Sequence, residues 1–137
     1  MIKERLCSYK LSKLLQEKGF DEECDNWYVD EYLDVSTVND CLAPQSNSGH
    51  YTEDFDCSAP THQMAMDWLR ITYNINIIIL PSRTDVNFFR YQIIYSPSPL
   101  DDIFCPTAHY CHEYGQAVEE ACRYALEFLV NKNRKSE

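Results

Sequence analysis

Cysteine and histidine residues cluster near the end of this chain of 137 residues, at Cys105, His109, Cys111 and His112. Thiolates and imidazoles are the ligands that zinc prefers, and Cys24, Cys41 or Cys57 could complete a tetrahedral site from the first half. The spacing, however, is neither C-x2-C nor H-x3-H, and Cys111 and His112 would point to opposite faces of an extended strand. We therefore favour loop and core roles and predict no metal or cofactor, with a zinc-stabilised protein as an alternative.

The same cluster holds the residue types of a thiol hydrolase. A cysteine nucleophile needs a histidine base within hydrogen-bond reach, which Cys105 or Cys111 could find nearby, but nothing in the sequence fixes a third group or an oxyanion hole. Phosphate-cradling and dinucleotide-binding loops are excluded because the chain has only 3 glycines. We predict a protein without enzymatic activity, and a hydrolase using residues 105–112 is the alternative.

Charge is unevenly distributed along the chain. No Lys or Arg occurs between Lys18 and Arg70, a stretch that holds most of the acidic residues in a chain of net charge -10. Such a surface repels phosphate, so direct nucleic-acid binding is not expected. Aromatic residues interleave with the acids, and tyrosine and tryptophan supply rigid contact area. We predict that a basic macromolecule binds there, through Asp21, Glu22, Glu23, Asp25, Trp27, Tyr28, Asp30, Glu31, Tyr32 and Asp34.

Two other interpretations of this segment stay open. The aromatic side chains could instead cover a sheet while the acids simply face water. The charge pattern is also typical of a nucleic-acid mimic that occupies the groove of a nuclease or repressor. A third function class is a virion or assembly component, in which exposed tyrosines would serve self-association.

The helices and strands that position these residues can be predicted from the spacing of apolar residues and from helix-capping residues. Apolar residues recur at helical spacing after Ser8, a good N-cap, and Gly19 supplies a stop, which predicts a helix over residues 8–18. Residues 21–57 form a long irregular acidic and aromatic segment, in which residues 27–33 could make a strand or half of a hairpin.

The second half shows a helix, strand, strand, helix order. Thr61 caps a helix that ends near Asn74, with Ala65 and Leu69 on its inward stripe. Residues 75–80 read as a strand covered on both faces, and residues 88–95 as a half-buried strand in which Tyr91 and Ile93 share the apolar face. A brief third strand is predicted at 103–104 or 110–111, and a last helix over 113–131 with Tyr114 and Phe128 among its inward residues. The fold class is α+β: three helices packed on a small antiparallel sheet, in a single domain over 1–137 with a frayed tail at 132–137.

Seven cysteines in a chain without a secretion signal are expected to be reduced thiols, with Cys7 and Cys122 as core residues. No apolar run reaches the length of a membrane span. The first residues are charged and lack the apolar region of a signal peptide, which predicts a soluble protein that stays in the cytoplasm, with no membrane partner.

Two stretches carry a family resemblance: SYKLSKLLQEKGFDEEC at residues 8–24 and APTHQMAMDWLR at residues 59–70. Their order, followed by two strands and an Ala-rich last helix, resembles a family of small proteins carried by phages and prophages of gut Bacteroidetes. The resemblance covers nearly the whole chain and implies a mobile-element origin and a location in the cytoplasm of a host bacterium, but no reaction. It also implies that the basic partner is a host or phage protein. The Cys- and His-rich segment at 105–112 departs from the family pattern.

Overall fold

The structure is a computed structural model that describes residues 5–30, 32–35, 44–82, 88–95, 103–104 and 111–130. Its helices and two small antiparallel sheets confirm the α+β class predicted from the sequence. Contacts divide the chain into two compact units, Met1–Gln63 and Met64–Glu137, where the sequence predicts one domain. No helix in the described ranges combines the length and the apolar character needed to span a bilayer.

The first unit begins with helix α1, Tyr9–Glu17, at the predicted place. The Ser8 hydroxyl accepts a hydrogen bond from the Leu11 amide at 3.2 Å, which satisfies one of the open amides of the first turn. At the other end Gly19 adopts a φ of 99°, and the amides of Gly19 and Phe20 donate to the carbonyls of Gln16 and Leu15. These two backbone hydrogen bonds form a Schellman motif. Glycine is favoured at position 19 because the motif requires a left-handed φ there.

The acidic segment is more regular than the sequence predicts, because it contributes a three-stranded sheet. Strands β1, Asn26–Val29, and β2, Tyr32–Val35, form a hairpin, so the stretch 27–33 divides between two strands and is not the single strand that the sequence predicts. Strand β3, Phe55–Ser58, pairs with the other edge of β1. In β1 the neighbours Trp27 and Tyr28 are both buried, so the strand lacks the alternation of apolar and polar residues that marks a half-buried strand. The order β2-β1-β3 makes β1 the central strand.

Residues 44–52 form an anchored loop beside this sheet. Gln45 is fully buried and pairs through its backbone with Cys24, at 2.8 and 3.0 Å. Its side-chain oxygen accepts hydrogen bonds from the Tyr51 and Thr52 amides at 2.7 and 3.0 Å, and its amide group donates to the Thr52 hydroxyl at 2.9 Å. A buried amide with its hydrogen bonds satisfied fixes the loop against the sheet.

The second unit contains helix α2, His62–Tyr73, whose first two residues belong to the first unit. Ala65 and Leu69 are buried on its inward stripe as predicted. Asn74 ends the helix with a φ of 58° and turns the chain directly into strand β4, Ile75–Pro81. Asparagine tolerates this left-handed conformation better than most residues, so the short helix-to-strand turn is feasible without glycine.

A second sheet follows, with the strand order β4-β5-β6. Strand β5, Phe89–Tyr95, pairs antiparallel with all of β4, and the short β6, Ile103–Phe104, confirms one of the two predicted positions for a third strand. Ile75, Tyr91 and Ile93 are buried on one face. The opposite face is only partly covered, with Ile78 36% exposed, so the prediction that β4 is covered on both faces is wrong.

The last helix packs on this sheet and changes its winding before its end. Helix α3, Tyr114–Tyr124, contacts β4 and β5, and continues into a π-helical turn, Ala125–Leu129. The wider turn shifts the inward stripe, so that Leu126 and Val130 are buried while Phe128 is 57% exposed. Tyr114 is also exposed. The predicted inward positions of Tyr114 and Phe128 are therefore corrected.

Candidate functional site

Four of the predicted contact residues lie together between α1 and β1. Asp21, Glu22, Glu23 and Asp25 all expose their side chains, and we call this set the acidic surface. Between them Cys24 turns inward, is buried, and joins the loop 44–52 through Gln45. The backbone of this stretch is thus held at two points. The Schellman motif fixes the residues just before it, and the backbone bridge between Cys24 and Gln45 fixes its middle.

Asp21 differs from its neighbours because it caps the loop. Its carboxylate accepts hydrogen bonds from the Ser48 amide at 2.7 Å and from the Ser48 hydroxyl. These two bonds to the charged form lower the pKa of Asp21 below its ordinary value. Asp21 therefore remains ionised and ties the acidic surface to the loop 44–52.

Trp27 and Tyr28 do not lie on the surface, although the sequence suggests both as contacts. Trp27 is 1% exposed and Tyr28 is buried, because β1 is the central strand and both of its faces are covered. The Tyr28 hydroxyl donates to the Cys7 carbonyl at 2.7 Å, and its ring meets that of Tyr9. On the other face Trp27 meets the Tyr51 ring, with centroids 6.3 Å apart. Their assignment as partner contacts is thus replaced by a core role.

The remaining predicted contacts belong to the hairpin. Asp30 is exposed and occupies the turn after β1 with a φ of 56°. Glu31 lies outside the described residues. Tyr32 and Asp34 are in β2, where the backbone register places Asp34 opposite Trp27. The structure thus places Asp30 in the turn of the hairpin, and Tyr32 and Asp34 in its second strand. That the Tyr32 and Asp34 side chains contact a partner stays a prediction from the sequence.

One acid of the segment is neutralised inside the first unit. Lys13 of α1 forms a salt bridge with Asp56 of β3 at 2.8 Å, and the Tyr9 hydroxyl donates to the same carboxylate at 2.6 Å. Burial alone would raise the pKa of Asp56, but these two hydrogen bonds and the charge of Lys13 outweigh it and lower the pKa below its ordinary value. Asp56 is a structural residue that joins α1 to β3.

We expect the contribution of Asp56 to stability to depend on pH. The pKa of its carboxyl is lower in the folded chain than in the unfolded chain, so the stabilisation is present above about pH 4 and is lost as the pH falls through the folded pKa. Asp56→Asn should lower the free energy of unfolding by about 1 kcal/mol at neutral pH, and by less in acid. Urea titrations at neutral pH and near pH 3 measure this difference.

The matched control is Asp54→Asn, which removes a charge from an exposed neighbour. It should leave the free energy of unfolding nearly unchanged at both pH values. An Asp56→Asn effect that stays constant between neutral and acid pH would contradict the role given to the carboxylate.

The two described members of the Cys/His cluster diverge. Cys111 is buried, pairs through its backbone with Phe89, and lies with its sulfur 3.2 Å from a Glu120 carboxylate oxygen. His112 is exposed and rests on the Phe88 ring, with centroids 4.5 Å apart. The Cys111 sulfur and the His112 ring thus engage different neighbours, as the alternation of an extended chain predicts. Cys105 and His109 lie outside the described residues.

The described cysteines are free thiols in the interior: Cys7, Cys24, Cys57, Cys111 and Cys122. Burial raises the pKa of Cys24 to about 12, and burial together with the Asp56 charge raises the pKa of Cys57 to about 12. Burial also raises the pKa of Cys122. Thiols with raised pKa values are poor nucleophiles at neutral pH, because the thiolate is the reactive form. The predicted core roles of Cys7 and Cys122 agree with their burial.

A groove of about 470 Å³ lies along the outer side of α3 in the second unit. The sequence places three of its residues on the outer face of the helix, Glu119, Arg123 and Glu127, but the groove also requires Tyr91 of β5 and the displaced Phe128. Spacing within one helix could not have revealed it. Its lining mixes carboxylates, one guanidinium and aromatic rings, namely Tyr91, Gln116, Glu119, Glu120, Arg123, Tyr124, Glu127 and Phe128.

Comparison of the chain with known protein families, with curated proteins and with solved structures finds no match.

Proposed function

We propose that this protein acts by binding a basic macromolecule through the acidic surface. The observation that carries the proposal is the exposure of Glu22, Glu23 and Asp25 within one short stretch. Carboxylates held close together on a surface attract a cationic partner and select against an anionic one. Trp27 and Tyr28 support the proposal only indirectly, because they are buried core residues of β1, the strand that follows this stretch.

The contrast with Asp56 strengthens the assignment. Asp56 has its own cation, Lys13, and its side chain is mostly covered. Glu22, Glu23 and Asp25 are instead exposed, and within the described residues none of them forms an ion pair. An exposed carboxylate without an ion-pair partner in the described part of the chain contributes little to folding, so it is available to a second molecule.

We place the partner in the setting that the family resemblance implies. A phage or mobile element gains from a small protein that occupies a basic groove of a host protein, and the partner is then a basic host or phage protein. A more specific form of this proposal is that the protein is a nucleic-acid mimic, in which the carboxylates of the acidic surface take the place of phosphates. That form predicts competition with duplex DNA for the target, and binding that weakens steeply as salt rises.

The test is a triple substitution, Glu22→Gln, Glu23→Gln and Asp25→Asn, on immobilised protein exposed to host lysate at moderate salt. Loss of three exposed charges should weaken retention of a basic partner about tenfold or more, and the effect should shrink as salt increases. Quantitative mass spectrometry of the retained proteins measures it.

The control removes the same number of charges elsewhere in the first unit, by Glu17→Gln, Glu53→Gln and Asp54→Asn, all at exposed positions. Both triple variants should keep the circular dichroism spectrum of the wild type. Equal retention of the partner by the two triple variants would refute the acidic surface as the binding site.

A further inference from the structure

Strand β4 has one edge without a strand partner in the part of the chain that the structure describes. It lies at the end of the order β4-β5-β6, and among the described residues its seven residues, INIIILP, pair with β5 alone. The sequence has no charged residue from Ile71 to Ser82. Natural proteins usually protect a long edge strand with charges, a bulge or a proline, and here only Pro81 at its end does so.

The register shows which backbone groups point outward from this edge. The amide and carbonyl of Phe89 bond to Cys111, away from β4, whereas the Phe88 carbonyl accepts from the Ser82 amide. Backbone groups alternate in direction along a strand, so every second residue of β5, including Gln92, directs its amide and carbonyl to β4. Gln92 therefore exchanges hydrogen bonds with its register partner Ile78. The neighbours of Ile78, Ile77 and Ile79, then direct their amides and carbonyls away from β5, to the open edge. Both residues are partly exposed, which fits an open edge.

The three central residues of β4 read the same in both directions: Ile77, Ile78 and Ile79. If two such strands meet antiparallel about a twofold axis at Ile78, then Ile77 of each copy faces Ile79 of the other. These are the residues with outward backbone groups, so each pair exchanges both of its hydrogen bonds. Every central side-chain pair is then isoleucine on isoleucine, a favourable cross-strand combination.

We propose that the free edge of β4 pairs with β4 of a second copy of this chain, joining the two sheets into one across the axis at Ile78. A second copy suits the edge because the strand is uncharged and self-complementary. The basic partner of the acidic surface would gain no charge contact there. The half-exposed face that carries Ile78 becomes continuous between the copies and is covered further. This inference goes beyond the proposed function and does not depend on it.

Sedimentation velocity of the wild-type chain, from micromolar to sub-millimolar concentrations, should show a monomer that becomes a dimer. Ile78→Lys places two ammonium groups opposite each other at the axis, and should raise the dissociation constant about tenfold or more. Ile71→Lys is the matched control, because Ile71 is 72% exposed on α2, and it should leave the dissociation constant unchanged. A wild type that stays monomeric throughout, or an Ile78→Lys variant that dimerises normally, overturns the proposal.

Two further measurements locate the contact. Facing residues of a non-hydrogen-bonded pair lie about 4.5 Å apart at Cα, within the range of a disulfide, so Ile78→Cys should crosslink two chains under mild oxidation. Ile71→Cys and the wild type should not. Hydrogen exchange at the Ile77 and Ile79 amides should slow as concentration rises, while the Ile78 amide, already bonded to β5, should not change. Crosslinking of Ile71→Cys at the same rate, or concentration-independent exchange at all three amides, would place any dimer contact elsewhere.

Discussion

Trp27→Ala should lower the free energy of unfolding of the first unit by about 3–5 kcal/mol, the usual cost of removing a large buried aromatic side chain. Trp27 is 1% exposed on the central strand, between its strand neighbours and the loop that carries Tyr51. The substitution removes apolar area from the core and leaves a cavity that a sheet held on both edges cannot close. Urea denaturation followed by far-ultraviolet circular dichroism measures the change.

A second substitution separates packing from hydrogen bonding. The Trp27 indole nitrogen is buried and has no hydrogen-bond partner among the described residues, so Trp27→Phe loses volume but no bond. It should cost only about 1–2 kcal/mol. Tyr51→Ala, at an exposed ring that touches Trp27, should cost less than about 1 kcal/mol. If Trp27→Ala instead kept full stability and lost the partner, the surface role predicted from sequence would be restored.

Gln45→Ala should lower the free energy of unfolding by about 2–4 kcal/mol. The side chain is fully buried and accepts the Tyr51 and Thr52 amides, so its removal leaves two donors without their acceptor and a void beside the sheet. The loop 44–52 covers one face of the sheet, and its loosening should also expose Trp27. Denaturation in urea measures the stability, and faster hydrogen exchange at the Tyr51 and Thr52 amides reports the loop.

Gln45→Leu shows whether the hydrogen bonds or the volume matter more. Leucine fills most of the same space but accepts no hydrogen bond, so we expect a loss close to that of alanine. Glu53→Ala, at an exposed position just beyond the loop, is the control and should change the stability by less than about 0.5 kcal/mol. Full stability of Gln45→Leu would show that the paired amides of the loop contribute little.

Features set by neighbours in the chain could be predicted from the sequence. The N-cap at Ser8 and the stop at Gly19 depend on residues within one or two turns, and α1 lies where they place it. The alternation of Tyr91 and Ile93 predicts the buried face of β5 correctly. The α+β class follows from the order of such locally determined elements.

Features set by distant contacts could not be predicted in this way. The burial of Trp27 requires a loop whose anchor, Gln45, is a polar residue that reads as part of a turn. Phe128 leaves the inward stripe because the helix widens at Ala125, and helical spacing assumes a constant period. The sequence predicts the partner contacts as one set of acidic and aromatic residues, but only the structure separates the exposed acids of the acidic surface from the buried rings of Trp27 and Tyr28.

Because each unit has buried thiols, the rate at which these thiols are alkylated can report the unfolding of that unit. An alkylating reagent such as iodoacetamide reacts with the thiolate, and the pKa of about 12 of Cys24 and Cys57 leaves almost none of it at neutral pH while the chain is folded. Modification must therefore await exposure, so its rate gauges the unfolding of the first unit, and Cys122 does the same for the second. Peptide mass mapping of one partly alkylated sample would then reveal whether the two units open in concert or one at a time.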